Sequence, residues 1–252
     1  MWTDRQAIEI FHLLFLRSFS SRVDKALFAL KGGCNLRFYH RSIRYSEDMD
    51  LDIRTMAVGT LRSNVDAVLE SDAFRHTLRA QGFEIESTAA PKQTSTTQRW
   101  KITLRSLESR EQIPTKIEFS RRMLDTGAAL APVDPEFIRR YRLYPVIVQR
   151  YDAGAAFAQK VNALALRSAV QARDVFDLKL LSDAGAARAP LARETALLLP
   201  QAIDHAMSIA FEDFTGQVVA FLEPEHQSDF RERAAWESLQ ENVVDVLRGL
   251  HK

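Results

Sequence analysis

From Asp48 to Ile53 the chain reads Asp-Met-Asp-Leu-Asp-Ile. Alternation at period two suits a strand whose aliphatic residues face a core while its carboxylates share the opposite face; a helix would scatter both sets around its axis. No other stretch constrains the fold as tightly. It demands a sheet buried on one side, and like charges gathered on the other side repel unless basic groups or a metal answer them. A solvated strand face would give the same pattern, so what surrounds the strand decides between the two readings.

Upstream, an apolar run from Ala26 to Leu30 leads into Gly32-Gly33, and the segment from Asn35 to Tyr39 suits a helical turn. Strand, glycine turn and helix in that order leave backbone N–H groups open to phosphate oxygens, because glycine carries no side chain to obstruct them. The G-x-x-x-x-G-K-[ST] and G-x-G-x-x-G fingerprints are both absent, which argues against ordinary ATPase and dinucleotide-binding readings.

Ile8, Phe11 and Phe15 recur at helical spacing, and Asp4, Arg5, Glu9, His12 and Arg17 flank or interrupt them. The run is too short to span a bilayer and reads as a core helix. A helix is expected between Leu61 and Leu78 with Gly82 as its stop, a mobile connection from Gln93 to Gln98, and strands around Trp100–Leu104 and Ile117–Phe119. The proline- and arginine-bearing stretch 132–145 reads as a link, and helical periodicity dominates after residue 150. Near this link Tyr141, Tyr144 and Tyr151 are interleaved with arginines; they suit either base stacking or packing against the core. A net charge of +1 gives no global sign of a polyanionic partner. The single cysteine, Cys34, rules out an internal disulfide framework and a cysteine zinc cluster, which suits the cytoplasm. Of the histidines, His40 and His205 lie near apolar stretches and the others are expected at the surface.

Three ordered segments carry a resemblance: Lys31-Gly32-Gly33-Cys34-Asn35-Leu36-Arg37 with Arg44-Tyr45-Ser46-Glu47-Asp48-Met49-Asp50-Leu51-Asp52, then Lys160 to Arg167, then Arg173-Asp174-Val175-Phe176-Asp177-Leu178. Together they resemble the AbiEii/AbiGii toxin family of nucleotidyltransferases, MenT toxins among them. The resemblance implies an α+β fold, a polymerase-beta-like core with a small mixed sheet over 1–140, and a helical C-terminal lobe over 141–252 completing a nucleotide and acceptor cleft. It implies metal at Asp48 and Asp50, with Glu118 as the third carboxylate, since period two sets Glu118 on one face with Lys116 and Ser120. Nucleotide contacts are implied at Gly32, Gly33, Cys34, Arg37, Ser46, Lys160 and Arg167, and catalytic roles at Asp48, Asp50, Lys160 and Asp174. Lys160 and Arg167 are seven apart and share a helix side, whereas Asp174 and Asp177, three apart, suit either the site or salt bridging within the lobe. Cys34 departs from the family pattern, in which a small hydroxyl residue commonly follows the glycines; a thiol donates weakly and suits burial better.

The activity so implied is Mg²⁺- or Mn²⁺-dependent transfer of a nucleoside monophosphate from an NTP to an acceptor, with a tRNA 3′ end as the acceptor. The implied setting is cytoplasmic, without a membrane, beside a cognate antitoxin protein. The competing reading is a nucleotide-binding regulatory protein that transfers nothing; a retained pair of aspartates disfavours it.

Overall fold

The structure is a computed structural model that describes residues 2–121, 124 and 126–251. Two compact units emerge, Met1–Tyr39 with Ser46–Tyr151, and His40–Tyr45 with Asp152–Lys252.

The first unit is built on a seven-stranded mixed sheet in the order β3-β4-β5-β2-β1-β7-β6. Its strands are β1 (Phe28–Lys31), β2 (Asp48–Ile53), β3 (Phe83–Gln93), β4 (Thr97–Ser106), β5 (Gln112–Arg121), β6 (Ala128–Pro132) and β7 (Ile147–Tyr151). Helices α1 (Asp4–Ser20), α2 (Gly32–Tyr39), α3 (Val58–Leu69), α4 (Asp72–Ala80) and α5 (Pro135–Arg140) complete it. Thr3 starts α1 with a capping box to Gln6, and Phe11, Phe15 and Phe19 follow at i, i+4 spacing, all buried. They share one core with Met49, Leu51 and Ile53 of β2, Ile117 and Phe119 of β5, and Trp100, Ile102 and Leu104 of β4. Burying each such side chain contributes about 1.5–3 kcal/mol, which fixes which face of each strand turns inward.

Three sequence expectations need correction. The helix expected from Leu61 to Leu78 is two helices, because the Ser71 hydroxyl accepts the Phe74 N–H and starts α4 afresh. The connection expected from Gln93 to Gln98 shrinks to a turn, since β3 reaches Gln93 and β4 begins at Thr97, with the Thr94 hydroxyl closing onto Thr97. The expected link around 132–145 contains α5, after which the chain re-enters the sheet as β7, parallel to β1. The first unit therefore runs to Tyr151.

The second unit contains α6 (Ala153–Leu166), α7 (Ala172–Asp183), α8 (Arg193–Ala196), α9 (Leu199–Ser208), α10 (Phe211–Gln217) and α11 (Arg233–Leu250). Asp152 caps α6 by accepting the Ala155 N–H. Trp236 of α11 stacks on Phe214 of α10 with ring centroids 4.5 Å apart. The segment His40–Tyr45 joins this unit through the Arg44–Leu222 bridge, with Tyr45 N–H donating to Phe221 O at 2.8 Å and Glu223 N–H to Ile43 O at 3.0 Å.

Candidate active site

The outward face of β2 carries Asp48, Asp50 and Asp52, and the parallel pairing with β5 sets them beside Lys116, Glu118 and Ser120 respectively. On the other side β1 sets Lys31 opposite Asp50. The three aspartates have different surroundings. Asp52 is fully buried, accepting from Lys31 Nζ at 2.5 Å and from the Tyr151 hydroxyl at 2.9 Å. Its charge is answered inside the protein. Asp48 is partly exposed and meets Lys116 Nζ at 2.9 Å. Asp50 is half-buried and has neither a hydrogen bond nor an ion pair with any described residue. Burial pushes its carboxyl pKa up, and Asp48 and Glu118 push the same way against Lys31 and Lys116.

Gly32 opens α2 directly beside this carboxylate. Its φ is +64°, and a Cβ there would lie 3.0 Å from Asp50 Oδ2. Glycine thus serves both the left-handed backbone and the close approach of the chain to Asp50. The first N–H groups of a helix have no intrahelical partner, so the turn through Gly32 and Gly33 sets donors next to the acidic pair.

Cys34, Ser46 and Arg37 hold this arrangement from beneath. The Cys34 thiol donates to the Asp48 carbonyl at 3.3 Å and the Ser46 hydroxyl to the same oxygen at 2.9 Å. Arg37 turns into the core, where its Nε lies 2.5 Å from Glu9 Oε1. The side chains of Cys34 and Arg37 are therefore buried and position the site rather than line it. His12 was expected at the surface, but it is fully buried on α1: its Nδ1 lies 3.5 Å from Cys34 Sγ and its Nε2 2.9 Å from the Thr115 hydroxyl. Thr115 in turn donates to the Glu47 carbonyl at 2.6 Å. Burial pushes His12 down to about 3 and the Cys34 thiol up, so both are neutral near pH 7. With Thr115 donating to Glu47, the one imidazole N–H of His12 is donated from Nε2 to Thr115, while Nδ1 packs against the Cys34 sulfur under the start of β2.

Glu118 stands alongside Asp50 in register, with its carboxylate 2.5 Å from Arg99 Nε. Among the described residues no group of three His, Cys, Asp or Glu side chains is gathered as a metal cage. Mg²⁺ commonly takes one or two carboxylates and completes its shell with water and substrate phosphates. Asp48 and Asp50 fit that need, because Asp50 is a carboxylate lacking a hydrogen-bond or ion-pair partner among the described residues, beside a second, partly exposed carboxylate on the same strand face.

A second cluster lies wholly within the helical unit. Asp174 and Asp177 of α7 are fully buried, and Lys160 Nζ of α6 sits between them at 2.8 and 2.6 Å. Arg44 grips both oxygens of Asp177 through one nitrogen at 3.1 and 3.0 Å, and Arg167 Nε lies 3.2 Å from Asp174 Oδ2. Burial alone would raise the Asp177 pKa, but Arg44 and Lys160 outweigh it and hold the group below the ordinary carboxylate value. The structure thus unites both later motifs and adds Arg44. Sequence reasoning quoted Arg44 without giving it a partner. Among the tyrosines, Tyr141 and Tyr151 are buried and donate to Glu9 and Asp52, while Tyr144 is exposed, with Arg17 over its ring at 4.4 Å.

Comparison with known proteins adds three findings. The family described as "Nucleotidyl transferase AbiEii toxin, Type IV TA system" matches residues 14–248. The fold is similar to JHP933 from Helicobacter pylori, with a TM-score of 0.66 at 16% identity over 100% of this chain and 93% of that one. It is also similar to a candidate nucleotidyltransferase from H. pylori, with a TM-score of 0.61 at 14% identity over 97% and 94%. No curated protein matches the chain in sequence. Among the described residues no helix is long and apolar enough to cross a membrane.

Proposed function

The chain belongs to the AbiEii nucleotidyl transferase toxin family, and from that premise we propose that it moves a nucleoside monophosphate from an NTP to an RNA acceptor at Asp48 and Asp50 in the presence of a divalent cation. The observation that carries the assignment is Asp50: a half-buried carboxylate without a hydrogen-bond or ion-pair partner among the described residues, pressed against Gly32 where α2 begins, with Asp48 beside it.

In this reading Asp48 and Asp50 hold the cation, with Glu118 as the third candidate. A cation held there would supply charge neutralisation for the triphosphate and polarisation of the attacking hydroxyl. The backbone at Gly32 and Gly33 receives phosphate oxygens, and Ser46 and Cys34 fix the Asp48 carbonyl so that its side chain is presented outward. Lys160 and Arg167 are assigned to the nucleotide's phosphates by their motif, with Asp174 holding both cations in place. The acceptor hydroxyl loses its proton to solvent and its oxygen forms a bond to the α-phosphorus as the bond from that phosphorus to the oxygen bridging the β-phosphate breaks, and pyrophosphate leaves. Family membership supports an antitoxin as the protein partner, and we assign the acceptor hydroxyl to the 3′ end of tRNA.

The test is incubation with each labelled NTP, Mg²⁺ and total tRNA, followed by mapping of the product. Label at RNA 3′ ends, absent with Asp50→Asn, is the expected result. Label on protein would replace the acceptor, and no labelled product with any NTP would overturn the proposal.

A further inference from the structure

The carboxylate face of the sheet continues outward from β2 over β5, β4 and β3, and its register can be followed residue by residue. One row runs Asp50, Glu118, Arg99, Lys92; the neighbouring row runs Asp48, Lys116, Lys101, Ala89. Directly opposed residues share a face, so all of these side chains project from the face that bears Asp48 and Asp50, away from the Trp100, Ile102 and Leu104 core. Lys92 joins them through an irregularity: between the pairs Ala89–Lys101 and Lys92–Arg99, β3 spends one residue more than β4. Without that bulge the alternation would turn Lys92 to the other face.

The four basic groups differ in what they are bound to. Lys116 is held by Asp48 and Arg99 by Glu118. Lys101 and Lys92 are exposed and have no acidic partner among the described residues. Half-buried Thr97 and Thr103 flank Arg99 and Lys101 on the same strand face. At the hairpin end Glu84 and Glu86 hold Arg105, which closes the basic strip on that side. Lysines on edge strands often only block unwanted strand pairing. Lys101, however, lies on β4, which is paired on both sides. With strands about 4.8 Å apart, Lys101 stands roughly 10 Å from Asp48 and Lys92 roughly 14 Å from Asp50.

We propose that this outward face of β3–β4–β5 is the track for the phosphate backbone of a single-stranded RNA acceptor, with Lys92 and Lys101 neutralising phosphates upstream of the hydroxyl delivered to Asp48 and Asp50. The proposal rests on the transfer reading for the purpose of the track, but its binding test does not. A polyanion fits because the two cations without an acidic partner among the described residues, Lys101 and Lys92, stand at successive strands away from the carboxylates.

The experiment is fluorescence anisotropy of a short labelled oligoribonucleotide across a salt series, with thermal melting as a fold check. Lys92→Ala with Lys101→Ala should weaken binding at least about tenfold at moderate salt and flatten the log–log salt slope by about 1.4, because each phosphate contact on a single strand contributes about 0.7. NTP affinity and melting should stay at the parent values. Lys92→Arg with Lys101→Arg should restore binding, and Arg22→Ala with Arg193→Ala, an equal charge loss off this face, should leave it unchanged. Equal binding by the parent and the double alanine variant, or equal loss in the control, overturns the track, as does a parent that binds no RNA. If the parent binds RNA through these lysines yet transfers nothing to it, the track stands and the transfer reading falls. If it transfers and the alanine variant transfers equally well, the reverse holds.

Discussion

The sheet unit and the helical unit each carry a cluster of carboxylates and cations, and they handle charge in opposite ways. In the helical unit Asp174 and Asp177 are fully buried and every carboxylate oxygen has a cation within 3.2 Å. On β2, Asp50 is half-buried and has no hydrogen-bond or ion-pair partner among the described residues, and Asp48 has one that is itself partly exposed. Removing one member of a buried, compensated cluster leaves charge stranded in a low dielectric. Removing Asp50, which has no hydrogen-bond or ion-pair partner among the described residues, strands no directly bonded group. The first arrangement holds a fold, and the second is the one to which the proposed cation is assigned.

The largest expected effect follows from the compensated cluster. Asp177→Ala strands Arg44 and leaves Lys160 with Asp174 alone, and should cost about 3–5 kcal/mol of stability, read as a drop in the urea midpoint; a loss under about 1 kcal/mol would show that the cluster is not structural. The same reasoning makes Lys160→Ala a folding variant as well as a ligand variant, so its activity is informative only beside its melting curve. Next comes the β2 pair: Asp48→Asn and Asp50→Asn should each lower transfer about 100- to 1000-fold, or about 3–4 kcal/mol, with folding intact. Near-normal turnover by either variant removes that residue from the chemistry. Glu118→Gln sharpens the boundary between the regions, because Arg99 already answers this carboxylate. A loss of about tenfold, or about 1.4 kcal/mol, is expected; a loss equal to that of Asp50→Asn would make Glu118 a full ligand.

The smallest effect is on pH dependence, where the two regions should differ in sign. Asp177 is held below its ordinary pKa, so its stabilisation is complete above that ordinary value and is lost as pH falls through the lowered one. Asp50 is raised above 3.8, so its ionisation costs stability near neutral pH and that cost disappears on acidification through the raised value. Asp50→Asn should therefore not lower the midpoint at pH 7, and its midpoint should fall more steeply toward pH 4 than that of the parent. Urea titrations at the two pH values decide this, and a shallower fall in the variant would contradict the assigned direction.

Local periodicity made much of this legible. The Asp-Met-Asp-Leu-Asp-Ile alternation marked β2 and its face, and the Gly32-Gly33 turn marked the start of α2. Lys160 and Arg167 do not share a helix side as their spacing suggested: α6 ends at Leu166, Arg167 is the extended residue that caps it, and the two cations meet through Asp174. The unread features depend on partners far away in the chain. Asp52 looks equivalent to Asp50 by period two, yet Tyr151, 99 residues later, and Lys31 neutralise it. Arg44 gives no local hint of Asp177, 133 residues on. His12 sits within an apolar stripe, and only the fold brings Cys34 and Thr115 to its two ring nitrogens. The return of β7 was hidden because prolines and arginines before it suggest a linker, while the strand itself is only five residues long.

The central claim is that β2 presents Asp50, which has no hydrogen-bond or ion-pair partner among the described residues, beside Asp48 to a cation carrying a nucleotide. Calorimetric titration of each NTP into the parent and into Asp50→Asn, in Mg²⁺ and again in EDTA, tests it most directly. The account predicts tight binding by the parent only in Mg²⁺, and binding by Asp50→Asn that is weak and nearly indifferent to the cation. Equal parent affinity in Mg²⁺ and EDTA would contradict it.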